Sequence, residues 1–153
     1  MSFEQSDHGH HGEADLVRAL HDEGDATVSL VAELDGKVVG HVLFSRMAIE
    51  ADGVAVAGVA LAPVAVLPGY RRQGIGAALV RAGHRRLCER DVAISFVLGA
   101  PAYYQRFGYE PALAAPFASL YAGRYFMAVA LAGSMPCAAT GRAEHAPAFA
   151  RLG

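Results

Sequence analysis

The sequence contains no tryptophan, only two cysteines and no excess of basic charge. Cys88 and Cys137 are too few and too far apart for a disulfide framework or a thiolate metal site, and they suit a reducing cytoplasm. Thirteen Lys and Arg against fifteen Asp and Glu give a formal net charge of −2, so no basic field attracts nucleic acid or an anionic membrane. Charged residues make up only 18% and hydrophobic residues 54%, which excludes intrinsic disorder and indicates strands buried on both faces.

A secretion signal and an uninterrupted apolar run are also missing. Residues 1–17 carry acids and histidines where a signal peptide has a basic start and an apolar segment. The uncharged stretch 53–70 has the length of a membrane span, but prolines and glycines interrupt it, so we interpret it as a buried strand and a loop. We therefore expect one cytoplasmic domain over residues 1–153, with residues 1–12 flexible.

Two Asp-Gly dipeptides, at 35–36 and 52–53, are typical of tight type I′ turns. They separate runs rich in β-branched residues, and we expect three successive antiparallel strands at 28–34, 37–45 and 54–67. Pro63 lies inside the third run and cannot donate a ladder hydrogen bond. The third strand should therefore bulge or part from its neighbour at this proline.

The hydrophobic period then becomes helical over residues 75–90, where five residues fall on one arc: Ile75, Leu79, Val80, Gly83 and Leu87. The short apolar run 93–98 should form a strand parallel to the third strand across this helix. Further elements are expected as short helices at 13–21 and 101–108 and late strands at 125–131 and 145–149. Together these elements indicate an α/β domain with a mixed, mainly antiparallel sheet.

The segment 64–80, VAVLPGYRRQGIGAALV, has the order strand, turn, glycine-containing loop and helix. Gly74 and Gly76 let the backbone approach a ligand, and the unpaired N–H groups of the helix start suit an anionic diphosphate. Arg71 and Arg72 add positive charge beside those donors. Tight packing of a strand on a helix is the alternative explanation for the two glycines.

Two other phosphate-binding motifs can be excluded. A P-loop requires a Lys directly after its second conserved glycine, and no Lys follows either glycine. A dinucleotide-binding fingerprint requires a third glycine and an acid ending the next strand, where this sequence has Ala77 and Leu98.

The remaining pattern resembles the GNAT superfamily of acyl-CoA-dependent N-acyltransferases, whose signature [QR]-x-x-G-x-[GA] is matched by Arg71, Gly74 and Gly76. The stretch 99–109, GAPAYYQRFGY, is similar to the segment that follows the fifth strand in these enzymes and carries a tyrosine four residues before a glycine. Here that tyrosine is Tyr104. The resemblance covers about residues 13–149 and, within the superfamily, points to a bacterial branch whose substrates are mostly unassigned.

The resemblance implies a splayed sheet and acetyl-CoA as cosubstrate. Val64, Ala65 and Val66 would line the pantetheine arm, and the amides of the following loop would hold the pyrophosphate. The loop residues are Arg71, Arg72, Gln73, Gly74, Ile75, Gly76 and Ala77.

The resemblance also implies direct transfer of the acetyl group to the amine of a small molecule or a peptide. The amide of Val66 would polarise the acetyl oxygen, and Tyr104 would protonate the departing thiolate. A packing role is the alternative for Tyr104, and Tyr103 is the neighbouring candidate for the acid. Because adjacent helical residues differ by about 100°, the two rings cannot both point at the sulfur.

The sequence departs from the family pattern in three ways. The start is short and leaves no room for both the first strand and the first helix that relatives commonly have. If the first strand is missing, the edge of the strand at 28–34 is open to a partner chain, such as a second copy in a homodimer. The asparagine that many relatives place near the end of the fifth strand is absent. The general base is unassigned, with Glu50, Asp52, His41 and a water chain all open.

The histidines of the cluster 7–12 (DHGHHG) should belong to a mobile terminus, so no metal site is expected. Neither cysteine has a base partner that would support an acyl-enzyme. Two other functions remain open: a non-catalytic acyl-CoA-binding or sensing module, and a structural partner protein without affinity for CoA.

Overall fold

The computed structural model describes residues 2–5, 26–131 and 141–146. Its strands are β1 (Ser2–Gln5), β2 (Ala26–Leu34), β3 (Lys37–Ala51), β4 (Val54–Val66), β5 (Ile94–Leu98), β6 (Phe117–Ala118), β7 (Phe126–Ala130) and β8 (Gly141–Glu144). Its helices are α1 (Ile75–Glu89), α2 (Pro101–Tyr104) and α3 (Pro111–Ala114), with 3-10 turns at Pro68–Tyr70 and Gln105–Phe107. The strands form one sheet with the order β1-β2-β3-β4-β5-β7, and β8 pairs with both β3 and β6. The sheet is mixed and mainly antiparallel, as predicted.

Both Asp-Gly dipeptides form the predicted turns. The φ angles are 52° and 77° at Asp35 and Gly36, and 49° and 84° at Asp52 and Gly53. Positive φ at both central residues is the requirement of a type I′ turn. The chain therefore runs β2-β3-β4 as an antiparallel meander, and β3 continues beyond the predicted end to Ala51.

The predicted bulge is present opposite the middle of β3. Val42 pairs with Val64, but Phe44 pairs with Leu61, so two residues of β4 lie opposite one residue of β3. The extra residue belongs to the Ala62-Pro63 step, where proline has no N–H to give to the ladder.

The sheet also opens at this level between β4 and β5. These two strands are parallel, and the last residue pair between them is Leu61 with Val97. Beyond it β4 continues through Val66, paired with β3 on its other side. The splay expected from the resemblance is therefore confirmed.

Helix α1 covers one face of the sheet and provides the parallel crossover from β4 to β5. All five residues of its predicted apolar arc are buried. Fully burying one side chain of this kind contributes roughly 1.5–3 kcal/mol, so the arc fixes the helix firmly on the sheet. The opposite face has its own aromatic core, in which Phe96 stacks on Phe126 at 5.1 Å between ring centroids and meets Phe117 edge-on at 5.3 Å.

The first strand is present, so the condition for an open edge at β2 is not met. Residues Ser2–Gln5 pair antiparallel with Leu30–Glu33, so β1 covers the edge of β2 within the chain. The reason given for a partner chain or homodimer at that edge therefore no longer holds.

A late strand that was not predicted spans Gly141–Glu144 and pairs with residues 48–51 of β3. Of the strand predicted at 145–149, His145 and Ala146 are not in a strand, and residues 147–149 lie outside the described residues. The helix predicted at 13–21, the histidine cluster and Cys137 lie outside the described residues. Within the described part of the chain, no helix has the length and hydropathy needed to cross a bilayer.

Candidate functional site

An open cleft of about 900 Å³ lies where β4 leaves β5. One wall consists of β3, β4 and the start of α1 with the loop before it, and the other consists of the segment after β5. The lining residues are Val39, Gly40, Val64, Ala65, Val66, Leu67, Pro68, Tyr70, Arg71, Arg72, Gly74, Ile75, Gly76, Ala77, Tyr103 and Arg106.

The cleft brings together nearly all the cofactor-binding residues proposed from the sequence. Every one of them lines it except Gln73, which lies in the same loop. Tyr104 is not among the lining residues, whereas its neighbour Tyr103 is. Arg106, which the sequence analysis did not single out, also lines the cleft.

The loop before α1 presents the start of the helix to the cleft. Gly74 is the N-cap residue in the left-handed conformation, with φ 79°, and no side chain caps the helix. The first intrahelical bond runs from the N–H of Ala78 to the carbonyl of Gly74 at 3.0 Å. The N–H groups of the first turn precede that bond and have no acceptor within the helix, so this helix start is suited to an anion.

Arg71 is fixed beside these donors. Its Nε donates a hydrogen bond to the carbonyl oxygen of Val66 at 3.1 Å, which ties the loop to the end of β4. Arg72 has φ 67°, an uncommon conformation for a residue with a side chain. The tight loop thus holds two guanidinium-bearing residues in the cleft wall, beside the helix start.

The second wall is built by the segment that begins at Pro101 and ends at Gly108. Pro101 suits the first turn of a helix, and Gly108 ends the segment with φ 93°. The Tyr103 ring reaches across the cleft, so that a Cβ placed on Gly76 would lie 2.8 Å from its hydroxyl oxygen. The guanidinium of Arg106 lies 5.1 Å from the centre of the Tyr103 ring.

Tyr104 is the last residue of α2, and its ring lies against Gly99, which follows β5. It meets the ring of Tyr109 edge-on, with 6.0 Å between the ring centroids. Tyr104 is partly buried and packs against the core under α1. Its ring therefore lies next to Gly99, beyond the last residue pair between β4 and β5.

Behind Tyr104 lies a buried hydrogen-bonded group that the sequence analysis missed. The hydroxyl of Tyr109 is 2.8 Å from Ser95 Oγ and 2.9 Å from His84 Nε2. Burial raises the pKa of Tyr109 above its usual value, and burial lowers the pKa of His84 to about 4. Tyr109 is therefore protonated and His84 neutral near pH 7, and together with Ser95 they connect α1 to β5.

The three side chains considered as the general base lie at different distances from the cleft. Glu50 is paired with Arg142 at 3.0 Å, and Asp52 is in the turn at the far end of the β3-β4 hairpin. His41 instead pairs across the strands with Ala65 in the cleft wall. It is buried, with Nε2 2.9 Å from Ser29 Oγ. Of the three side chains, only His41 is next to the cleft wall.

Cys88 is exposed and lies at the opposite end of α1 from the cleft, where its Sγ donates to the carbonyl of Leu131 at 2.9 Å. Among the described residues, no three His, Cys, Asp or Glu side chains gather closely enough to hold a metal ion.

A family model described as an acetyltransferase (GNAT) domain matches residues 1–112 of the chain. The chain is 41% identical over 101 residues to the uncharacterized N-acetyltransferase YjhQ of Escherichia coli K12, covering 65% of this chain and 56% of that protein. It is 41% identical over 99 residues to the uncharacterized N-acetyltransferase YhbS of the same strain, covering 64% of this chain and 58% of that protein. The chain therefore spans little more than half the length of these curated relatives.

Solved structures agree in both sequence and fold. The GNAT family N-acetyltransferase YhbS from Escherichia coli, crystallised in complex with CoA, superposes with a TM-score of 0.82 at 37% identity, covering 92% of this chain and 79% of that chain. A GNAT family acetyltransferase from Brucella melitensis, in complex with acetyl-CoA, superposes with a TM-score of 0.71 at 34% identity, covering 90% and 77%.

Proposed function

The chain belongs to the GNAT acetyltransferase family, and we propose that it transfers the acetyl group of acetyl-CoA to an amine of a small molecule or a peptide. One observation carries the proposal: the cleft opens where two parallel strands part, and an uncapped helix start with two arginines closes its end. Such a cleft suits a long thioester whose diphosphate is anionic. The two related structures that contain CoA or acetyl-CoA support the same cofactor.

In the proposed reaction the thioester lies in the splay and the pantetheine arm follows Val64, Ala65 and Val66. The amine nitrogen attacks the carbonyl carbon, the C–N bond forms, and the C–S bond then breaks to release the CoA thiolate. The N–H of Val66 stabilises the negative charge on the carbonyl oxygen. Tyr104 gives its proton to the thiolate sulfur, and the nitrogen loses a proton to a base or water.

We also propose a cytoplasmic location. The low cysteine content and the absence of a basic field support an enzyme that works on soluble substrates in a reducing compartment.

Calorimetric titration with acetyl-CoA and CoA tests the cofactor, since the chain has no tryptophan to report binding by fluorescence. We expect saturable binding by the native protein and none by Gly74→Glu, because the new carboxylate repels the diphosphate and the site requires φ 79°. A folded sample that binds neither compound would contradict the proposal. Binding without thiol release from any amine would instead favour the acyl-CoA-sensing alternative.

Tyr104→Phe tests the acid. The variant keeps the ring and its packing but loses the proton, so we expect unchanged CoA affinity and a turnover lower by roughly 10²–10⁴. Thiol release at saturating acetyl-CoA is the measurement. Unchanged turnover would remove the acid role from Tyr104.

A further inference from the structure

We propose that Tyr103 and Arg106 form a second half of the cofactor's diphosphate site, facing the helix start across the cleft. The Tyr103 hydroxyl donates a hydrogen bond to a phosphate oxygen, and the Arg106 guanidinium supplies charge on the same side. This inference rests on the proposed function, because it assumes that the cleft binds acetyl-CoA. It assigns Tyr103 to cofactor binding and not to proton transfer.

The Tyr103 hydroxyl lies beside the start of α1. Its oxygen lies so close to Gly76 that a Cβ there would be 2.8 Å away. Gly76 is the second residue of α1, within the turn whose N–H groups are unpaired in the helix. The hydroxyl therefore lies beside the donors that we assign to the diphosphate, and it adds a donor from the opposite wall.

Arg106 adds positive charge to the wall that carries Tyr103. Its guanidinium lies 5.1 Å from the ring centre of Tyr103 and 5.4 Å from that of Phe107. Phe107 is buried, and Arg81 of α1 lies over it at 5.1 Å. This stack connects the segment after β5 to α1 and keeps Arg106 beside the Tyr103 ring. With Arg71 and Arg72 on the facing loop, positive charge lines the cleft on two sides.

The rings of the adjacent residues Tyr103 and Tyr104 point in different directions. Their rings are 5.0 Å apart and nearly perpendicular, at 89°. Tyr103 points to the helix start, whereas Tyr104 packs on Gly99 at the end of β5. In an extended thioester the diphosphate and the sulfur are separated by the pantetheine arm, so a hydroxyl beside the helix start is placed to contact the diphosphate and not the sulfur.

The test compares the native protein with Tyr103→Phe and Arg106→Gln, first by titration with CoA and then by turnover with acetyl-CoA. Hydrogen bonds to a charged group correspond to about a ten-fold or larger change in affinity. We expect each variant to raise the dissociation constant of CoA about ten-fold or more and the KM for acetyl-CoA similarly, with kcat unchanged at saturation. The affinity of Arg106→Gln should also depend less steeply on salt.

Matched controls separate local from general effects. Tyr125→Phe changes a half-exposed tyrosine that does not line the cleft. Arg142→Gln removes a positive charge at the other end of the sheet, where Arg142 pairs with Glu50. Neither control should alter CoA binding.

S-acetylpantetheine, a donor without the nucleotide diphosphate, gives the sharpest comparison. Tyr103→Phe and the native protein should use it at equal rates, because the group that Tyr103 contacts is missing from it. A lower kcat with both donors and an unchanged KM would overturn the inference and make Tyr103 the acid.

The outcomes also separate the inference from the function on which it rests. If the native protein binds CoA and Tyr103→Phe binds equally well, the inference fails while the proposed function stands. If the folded native protein binds no CoA, the proposed function and the inference both fail.

Discussion

At the scale of the single residue, Gly76 is restricted by the Tyr103 hydroxyl and not by its own backbone. A methyl group at Gly76 would come within 2.8 Å of that oxygen, which is too close. Its distance to Val66 Cγ2 would be 3.7 Å, an ordinary van der Waals contact. The hydroxyl is the far end of a side chain and can swing away, so the fold should tolerate the change. The helix itself favours alanine over glycine by up to about 1 kcal/mol.

We predict that Gly76→Ala leaves the melting temperature unchanged or slightly raised and weakens CoA binding, because the hydroxyl is displaced from the diphosphate. A double-mutant cycle with Tyr103→Phe measures this by titration. The double variant should bind no more weakly than Tyr103→Phe alone. Additive losses would show that the hydroxyl and residue 76 act on the cofactor separately.

At the same scale, some residues of the site could be predicted from the sequence and others could not. The glycine spacing predicted the loop and helix start because a backbone requirement fixes residue type at Gly74. It could not choose between Tyr103 and Tyr104, since the direction of each ring depends on where α2 begins relative to β5. Arg106 gave no signal, because an exposed arginine near a helix end is usually solvated.

At the scale of the element, α1 lies close to β3 because Gly83 has no side chain. A Cβ on Gly83 would overlap the ring of Phe44, coming within 2.8 Å of Cζ in addition to a closer contact with Cε2. Phe44 is fully buried in the middle of β3 and cannot move outwards. Helix propensity and packing therefore oppose each other at this position.

We predict that packing dominates and that Gly83→Ala lowers the free energy of unfolding by up to about 2 kcal/mol. Overpacking a filled core costs roughly 1–3 kcal/mol, which exceeds the helix-propensity gain of about 1 kcal/mol. Urea unfolding measures the change. Gly69→Ala is the control, since its Cβ would have no neighbour within 4 Å, and its stability should stay near that of the native chain. A more stable Gly83→Ala would contradict the proposed close packing.

The elements differ in how well their sequences predicted them. The Asp-Gly turns, the proline bulge and the arc of α1 were predicted because each reflects a local constraint on dihedral angles, donors or periodicity. β1 and β8, with the sequences SFEQ and GRAE, were missed or misplaced. Such short segments carry no alternation, and the free edges of β2 and β3 determine where they pair.

At the scale of the whole molecule, each face of the sheet has a partly buried histidine packed against it. His84 projects from α1 to the Tyr109 hydroxyl, and His145 meets the ring of Tyr121 edge-on at 4.8 Å on the other face. Burial lowers the pKa of each from 6.5 to about 4. Protonation of either residue therefore disfavours the folded state on its own side of the sheet.

We predict that the free energy of unfolding falls as the pH decreases from about 6.5 to 4, because in this window the unfolded chain binds protons that the folded chain does not. The contribution of these groups is complete above pH 6.5 and does not change further below pH 4. A shift of this size corresponds to at most about 3 kcal/mol for each histidine.

Urea unfolding at pH 7.5, 5.5 and 4.5 measures how steeply the free energy of unfolding depends on pH. His84→Gln, which keeps a donor or acceptor for Tyr109, should reduce the proton uptake on unfolding by about one at most. A slope identical to that of the native chain would show that the pKa of His84 does not differ between the folded and the unfolded chain.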